Sequence, residues 1–170
     1  IFFQGIVGWY MVQSGLTERT DVSHYRLSIH LTLAFIILIL LFWNYLKYKN
    51  LTDLSKHKKL PYFLPFFLLI FIIIQISVGA LVSGLDAGQI YRSWPLMDQR
   101  YFPDDSNLNV LFSIKVFETP SVLQFIHRNL AYFIILLFCF IATIIYRDED
   151  FIYLRRTALL IFIVLFLQTF

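Results

Sequence analysis

Three stretches of this chain, 27–46, 62–82 and 122–146, each run for twenty residues or more without an Asp or Glu. Crossing the apolar layer of a bilayer takes about 20 apolar residues in a helix. Backbone polar groups in that layer must be satisfied within the segment or in a closed barrel. Continuous apolar runs without two-residue alternation predict helices. Two further apolar stretches, 1–12 and 157–170, predict parts of two more. Hydrophobic residues make up 59% of the 170 positions, with 19 Phe, which is more apolar surface than one soluble core buries. The expected fold class is therefore all-α integral membrane, with the lipid bilayer as partner.

The charged loops set an expected orientation. Residues 47–59, KYKNLTDLSKHKK, carry five Lys, and residues 147–156, RDEDFIYLRR, carry three Arg. The opposite loops, 17–26 and 84–121, contain only Arg19, Arg26, Arg92, Arg100 and Lys115. The positive-inside rule places the first pair on the cytoplasmic or matrix side and leaves 84–121 exoplasmic. The net charge of +3 is modest and its basic part is clustered in one loop, which reads better as a topology signal than as a nucleic-acid surface, so no nucleic-acid partner is expected. The single Cys139 lies inside an apolar run and allows no intrachain disulfide framework. No basic n-region or initiator Met precedes the opening IFFQGIVGWYMV, and both ends fall within apolar runs, so the expectation is the middle of a longer protein.

The loop 84–121 is rich in aromatic residues, Tyr91, Trp94, Tyr101 and Phe102 among charges and prolines. It reads as a structured cap at the membrane interface, where amphipathic rings settle. A repeat is also legible. Gln4-x-x-x-Gly8, followed by Val12 and Ser14-Gly15-Leu16, resembles Gln75-x-x-x-Gly79, followed by Val82 and Ser83-Gly84-Leu85. Gln and Gly four apart share a helix face, and Gly there admits another backbone or a flat ligand. Two generic packing seams and a duplicated helix pair both account for it; the shared order of residues favours duplication.

Four histidines are present. His57 lies in the Lys-rich loop and reads as solvated, and His24 as interfacial in the short outer loop. His30 and His127 stand three and five residues into their expected helices, roughly 5–8 Å deep at 1.5 Å per residue. Ionisable groups in a membrane are costly and default to function; for His this means metal ligation, proton transfer or a structural hydrogen bond. Arg26 stands one turn before His30, and Arg128 directly follows His127. An imidazole at this depth with a guanidinium beside it suits haem, iron on the nitrogen and Arg paired with a propionate. Snorkelling to the headgroups is the other reading of each Arg. Zinc fits less well, since no HExxH occurs and Cys139 lies roughly 18 Å from His127 along the helix. A transporter would want a carboxylate in mid-membrane, and the three long runs have none.

The segments GWYMVQSGL (8–16), VSHYRLSIHL (22–31), GALVSGLDAGQIYRSWPLMD (79–98) and QFIHRNLAY (124–132) resemble the signatures of the haem A synthase family. The resemblance covers essentially the whole chain and implies its cysteine-poor subtype. It implies an eight-helix protein of two pseudo-symmetric four-helix bundles, of which this chain is a fragment from about the third helix to the seventh. Residues 1–46 would belong to the N-terminal haem-binding bundle, 47–61 to a cytoplasmic linker, and 62–170 to the C-terminal bundle.

By resemblance His30 is the iron ligand for the haem O substrate and His127 the iron ligand for a haem b cofactor, while Arg26 and Arg128 remain, from their positions alone, candidates to pair with propionates. The two histidines thus serve different haems. The family's Glu-x-x-His-Arg motif carries a Glu implicated in the oxidation; here the second half has Gln124-Phe125-Ile126-His127-Arg128, so no catalytic acid or base is assigned. The implied activity is oxidation of a haem O methyl to a formyl group, giving haem A for cytochrome oxidase. Its implied partners are an unidentified electron acceptor, haem O synthase and cytochrome oxidase assembly factors. The expected location is the bacterial inner membrane, with the mitochondrial inner membrane as alternative. A non-enzymatic cytochrome-b-like electron carrier is the competing function.

Overall fold

A computed structural model describes residues 2–15, 21–49 and 58–169. Ile1, Leu16, Arg19, Lys56, His57 and Phe170, each part of the sequence reading, lie outside them. Among the described residues the regular structure is helical: α1 (Phe2–Val12), α2 (His24–Tyr48), α3 (Phe63–Gly84), α4 (Pro120–Arg147) and α5 (Ile152–Thr169), with short 3-10 turns between. Helices α2, α3 and α4 are each long and apolar enough to cross a membrane, and the chain is a membrane protein of the all-α class.

All five expected helices are present, but three start earlier than hydropathy predicts. Helix α2 begins at His24, so His24 is helical and not a loop residue. Helix α4 begins at Pro120, a residue suited to the first helical position because its missing N–H has no partner there anyway. Helix α5 begins at Ile152 and includes Arg155 and Arg156. Arg155 explains why charge did not stop the helix: its Nη2 donates to Tyr146 O at 3.2 Å and to Glu149 Oε1 at 3.1 Å. His30 and His127 are consequently the seventh and eighth residues of their helices, roughly 9–10 Å from the helix starts rather than 5–8 Å.

The chain divides into two compact units. The first holds Ile1–Leu40 and Ile73–Leu130. Within it α2 and α3 are tied by hydroxyls: Ser28 Oγ donates to Ser77 O at 2.8 Å, and Thr32 Oγ1 and Ser77 Oγ are 2.8 Å apart. Between membrane helices such bonds contribute about 0.6 kcal/mol each, enough to fix a register. Near the end of α3 a Cβ on Gly84 would stand 2.7 Å from the Cβ of His24 and 2.8 Å from its Cα, so glycine there is a condition of the helices' close approach.

The second unit holds Leu41–Ile72 and Ala131–Phe170. Its core gathers Leu64, Phe138, Ile141, Ile145, Phe151 and Ala158, with Phe71 and Phe133 edge to face at 4.7 Å. The turn between α4 and α5 is closed by Asp148, which accepts from Asp150 N at 3.0 Å and from Lys58 Nζ at 2.6 Å. The Lys58 hydrogen bond is the chief cause holding the Asp148 carboxyl below its usual range, and it raises Lys58 in turn.

Candidate functional site

In the first unit the Gln-x-x-x-Gly repeat and the two membrane histidines belong to one device, made twice. On α1, Gln4 Nε2 donates to the main-chain oxygen of His30 at 2.9 Å and lies 3.3 and 3.4 Å from the ring nitrogens Nδ1 and Nε2. On α3, Gln75 Nε2 donates to the main-chain oxygen of His127 at 3.2 Å and lies 3.3 Å from its Nε2. One turn along, Gly8 and Gly79 face the same rings. A Cβ at either position would stand 2.9 Å from the imidazole Cε1, well inside ordinary carbon contact. Glycine four residues after glutamine is thus what lets each ring lie against the preceding helix.

The approaching group is an imidazole, which the repeat alone did not reveal. The separation from glutamine to its histidine is 26 residues in the first copy and 52 in the second, because the 84–121 loop intervenes. That unequal spacing hid the pairing, while the equal order of Gln, Gly and Ser-Gly-Leu was the signal that could have found it.

The amide orientation follows from electrostatics. A reversed Gln75 would set Oε1 against a carbonyl oxygen, so the nitrogen must face His127 O. Gln4 Oε1, Gln75 Oε1 and His127 Nδ1 are buried without hydrogen-bond partners, and so is Nε2 of His24. Leaving a buried polar atom unpaired costs about 1–3 kcal/mol.

The arginines beside the two histidines each bond to protein. Arg26 Nη1 donates to Tyr10 O at 2.8 Å, and its guanidinium covers the Tyr10 ring at 3.8 Å. Arg128 Nη1 donates to Ser93 O at 2.8 Å and Nη2 to Tyr91 O at 2.6 Å. A guanidinium has five N–H donors, so neither is exhausted, but each is anchored in protein.

Gln124 works beside Arg128, one turn away on α4. Its Nε2 donates to Tyr91 O at 2.8 Å and Gly88 O at 3.3 Å, and its Oε1 accepts from Tyr91 N at 3.3 Å. It is 5% exposed. The position needs a donor and an acceptor in one side chain, which an amide has and a carboxylate lacks. The loop so held is structured, as its aromatic content implied. Tyr91 donates to Asp105 at 3.2 Å, Tyr101 bonds to Asn129, and Tyr101 and Phe102 pack edge-on against Phe125. Burial, then the Asp105 carboxylate, pushes the Tyr91 phenol up. Asp98, at φ 62°, turns the chain in the left-handed region, which Asp tolerates, with Ser93 Oγ accepting its N–H at 2.7 Å.

No group of three or more His, Cys, Asp or Glu side chains able to hold a metal ion exists among the described residues. A single imidazole in a glycine-lined cradle fits haem iron instead, because the porphyrin supplies four nitrogens and asks the protein only for axial donors.

The chain is 44% identical over 159 residues to a protein named heme A synthase in Pelagibacter ubique (strain HTCC1062), covering 90% of this chain and 46% of that protein. It is 40% identical over 168 residues to one of the same name in Rickettsia africae (strain ESF-5), covering 97% and 49%. A third, in Bartonella tribocorum (strain CIP 105476 / IBS 506), is 38% identical over 173 residues, covering 99% and 47%. The chain thus spans about half the length of the curated relatives it matches. No solved structure matches it. The model of a family described as cytochrome oxidase assembly protein matches residues 1–170, and this chain belongs to that family.

Proposed function

We propose that this chain supplies the central helices of a haem A synthase in a bacterial inner membrane, within an eight-helix protein of two related bundles. Residues 1–46 would contribute to the first bundle and 62–170 to the second, with 47–61 as the linker on the cytoplasmic side. The observation that carries the reading is the pair of equivalent cradles, Gln4–Gly8–His30 and Gln75–Gly79–His127. Each offers one half-buried imidazole on a glycine-flattened helix face, an axial donor of the kind haem iron takes. Names of relatives that are 38–44% identical point the same way.

The net chemistry converts a haem O methyl to a formyl group. Water adds its oxygen, and four protons and four electrons leave, the electrons passing to an external acceptor. His30 would hold the haem O substrate by its iron, and His127 a haem b, which when bound supplies a one-electron redox couple. Arg26 and Arg128 keep the guanidinium donors not used by Tyr10, Tyr91 and Ser93 for acidic groups of the ligands. The loop clasped by Gln124 and Arg128 is held against the start of α4, where His127 stands. No acid or base is assigned, since Gln124 is a neutral amide committed to the loop. Haem O synthase and cytochrome oxidase assembly factors are the partners this role implies.

The test uses the full-length protein that contains this chain, made in cells that produce haem O but no haem A. Haems extracted from the purified wild type and from His127→Ala are identified as pyridine haemochromes. Haem b and haem A in the wild type, with both lost in His127→Ala, support the reading. Haem b alone, with no haem A accumulating in the membranes, replaces it with a cytochrome-b-like electron carrier.

A further inference from the structure

The two most exposed large apolar side chains among the described residues lie outside the spanning helices: Phe112 is 91% exposed and Ile114 85%. They stand in two 3-10 turns, Leu108–Phe112 and Ile114–Glu118, that join the loop to α4. Leu108 and Phe117 beside them are also exposed. A loop bathed in water scatters such groups singly; here four fall within ten positions. We propose that residues 108–118 lie in the headgroup layer where α2 and α4 enter the bilayer. They form an interfacial anchor, with Leu108, Phe112, Ile114 and Phe117 set into the boundary with the acyl chains.

The level of this segment is fixed by two helices that the bilayer already claims. Helix α4 starts at Pro120, two residues after Glu118. Tyr25, the second residue of α2, donates its hydroxyl to Glu118 Oε1 at 3.4 Å. The segment is thus held at the height where two spanning helices begin. Ile29, one turn further along α2, is itself exposed, so the apolar row continues a surface that faces lipid. Local bonds satisfy part of the backbone, as a layer poor in water demands. The Asn107 side chain accepts from Asn109 N at 3.2 Å, Ser113 Oγ donates to Val110 O at 3.1 Å, and Thr119 Oγ1 donates to Lys115 O at 2.8 Å. Ile114 and Phe117 stand three apart and so share one side of their 3-10 turn, while Val116 is buried.

Lys115 distinguishes lipid from protein as the cover. It is exposed, between Ile114 and Phe117. The core of a protein interface is depleted in Lys. At a membrane surface the same side chain lays its stem along apolar groups and carries its ammonium out to the phosphates. Anchored this way, the segment sets the depth at which α4 begins, and with it the depth of His127, the eighth residue of that helix.

The experiment uses the full-length protein in vesicles of phosphatidylcholine and phosphatidylglycerol, with Cys139→Ser and any cysteine outside this chain also replaced. Phe112→Cys, Ile114→Cys and, as a reference in water, the exposed Gln89→Cys each carry a nitroxide spin label. Collision of the label with oxygen, which concentrates among acyl chains, is compared with collision with a water-soluble nickel chelate. The expected oxygen-to-nickel ratio is severalfold higher at 112 and 114 than at 89. Nickel access at 112 and 114 equal to that at 89 puts the segment in water and overturns the anchor. Immobilised labels that neither reagent reaches show a cover of protein, whether another part of the full-length chain or a partner, and overturn it equally. Phe112 and Ile114 are so exposed that neither replacement removes a packing contact the fold depends on, and each position tests the anchor should the other variant fail to accumulate.

Discussion

The sharpest single perturbation is Gly79→Ala. The new Cβ would stand 2.9 Å from Cε1 of His127, 3.5 Å from Nδ1 and 3.8 Å from Nε2. Carbon atoms rest about 3.5–4.0 Å apart, so something must move by more than half an ångström. The obstacle is the far end of a side chain, not a backbone, and the ring can swing away. It cannot do so freely, because Gln75 tethers it. Displacing a ring from its rotamer by ~30° costs about 0.5–1.5 kcal/mol, and losing the Gln75 contact adds about 1 kcal/mol. The fold can absorb this; the haem ligation proposed for the ring cannot. Gly79→Ala is therefore expected to leave thermal unfolding of the full-length protein nearly unchanged while weakening haem retention by about tenfold or more. Two other glycines calibrate the result. Gly5 has nothing within 4 Å, and Gly5→Ala is expected to be neutral or to stabilise α1 by about 0.5–1 kcal/mol. Gly84 faces the backbone of His24, which cannot swing, and Gly84→Ala is expected to destabilise the fold by about 1–3 kcal/mol. Thermal unfolding and haem titration are read on all three. Full haem retention in Gly79→Ala, or equal unfolding losses in Gly79→Ala and Gly84→Ala, would refute the cradle geometry.

Gln124→Ala strips three contacts from the loop around Gly88 and Tyr91 and is expected to cost about 1–3 kcal/mol, seen as faster amide exchange at 88–93; unchanged exchange there argues against a clasp. The Lys58–Asp148 pair gives two pH windows. The Asp148 carboxyl is held down by the Lys58 hydrogen bond first of all, so its contribution is complete above the unfolded carboxylate value and is lost as pH falls through the lower folded one. Lys58 is held up, first by the same bond, so its contribution is complete below the unfolded lysine value and is lost as pH rises through the raised folded one. Melting temperature against pH should show a shoulder at each end that Asp148→Asn flattens; identical shoulders in the variant would show that the pair carries neither.

Much of the architecture was legible in the residues. The bilayer forces each spanning segment to satisfy its own backbone, so apolar length alone located α2, α3 and α4, and the duplicated Gln-x-x-x-Gly marked α1 and α3 as counterparts. Hydropathy misplaced the starts of α2, α4 and α5 because a helix does not stop where apolarity stops: His24, Pro120 and Arg155 are all helical, and Arg155 is satisfied by carbonyl and carboxylate oxygens. His30 and His127 stood out as costly groups in hydrocarbon, and the motif around each tied it to a family. What they touch did not stand out. The meeting of Gln75 with His127 spans 52 residues and a loop of its own, and nothing local to Arg128 showed that two of its donors hold Tyr91 and Ser93. Local pattern determined which segments become helices and which side chains are too expensive to be idle. Only the tertiary structure decided which helix faces meet, because that depends on where a glycine allows a ring to lie and where an amide can reach two acceptors at once.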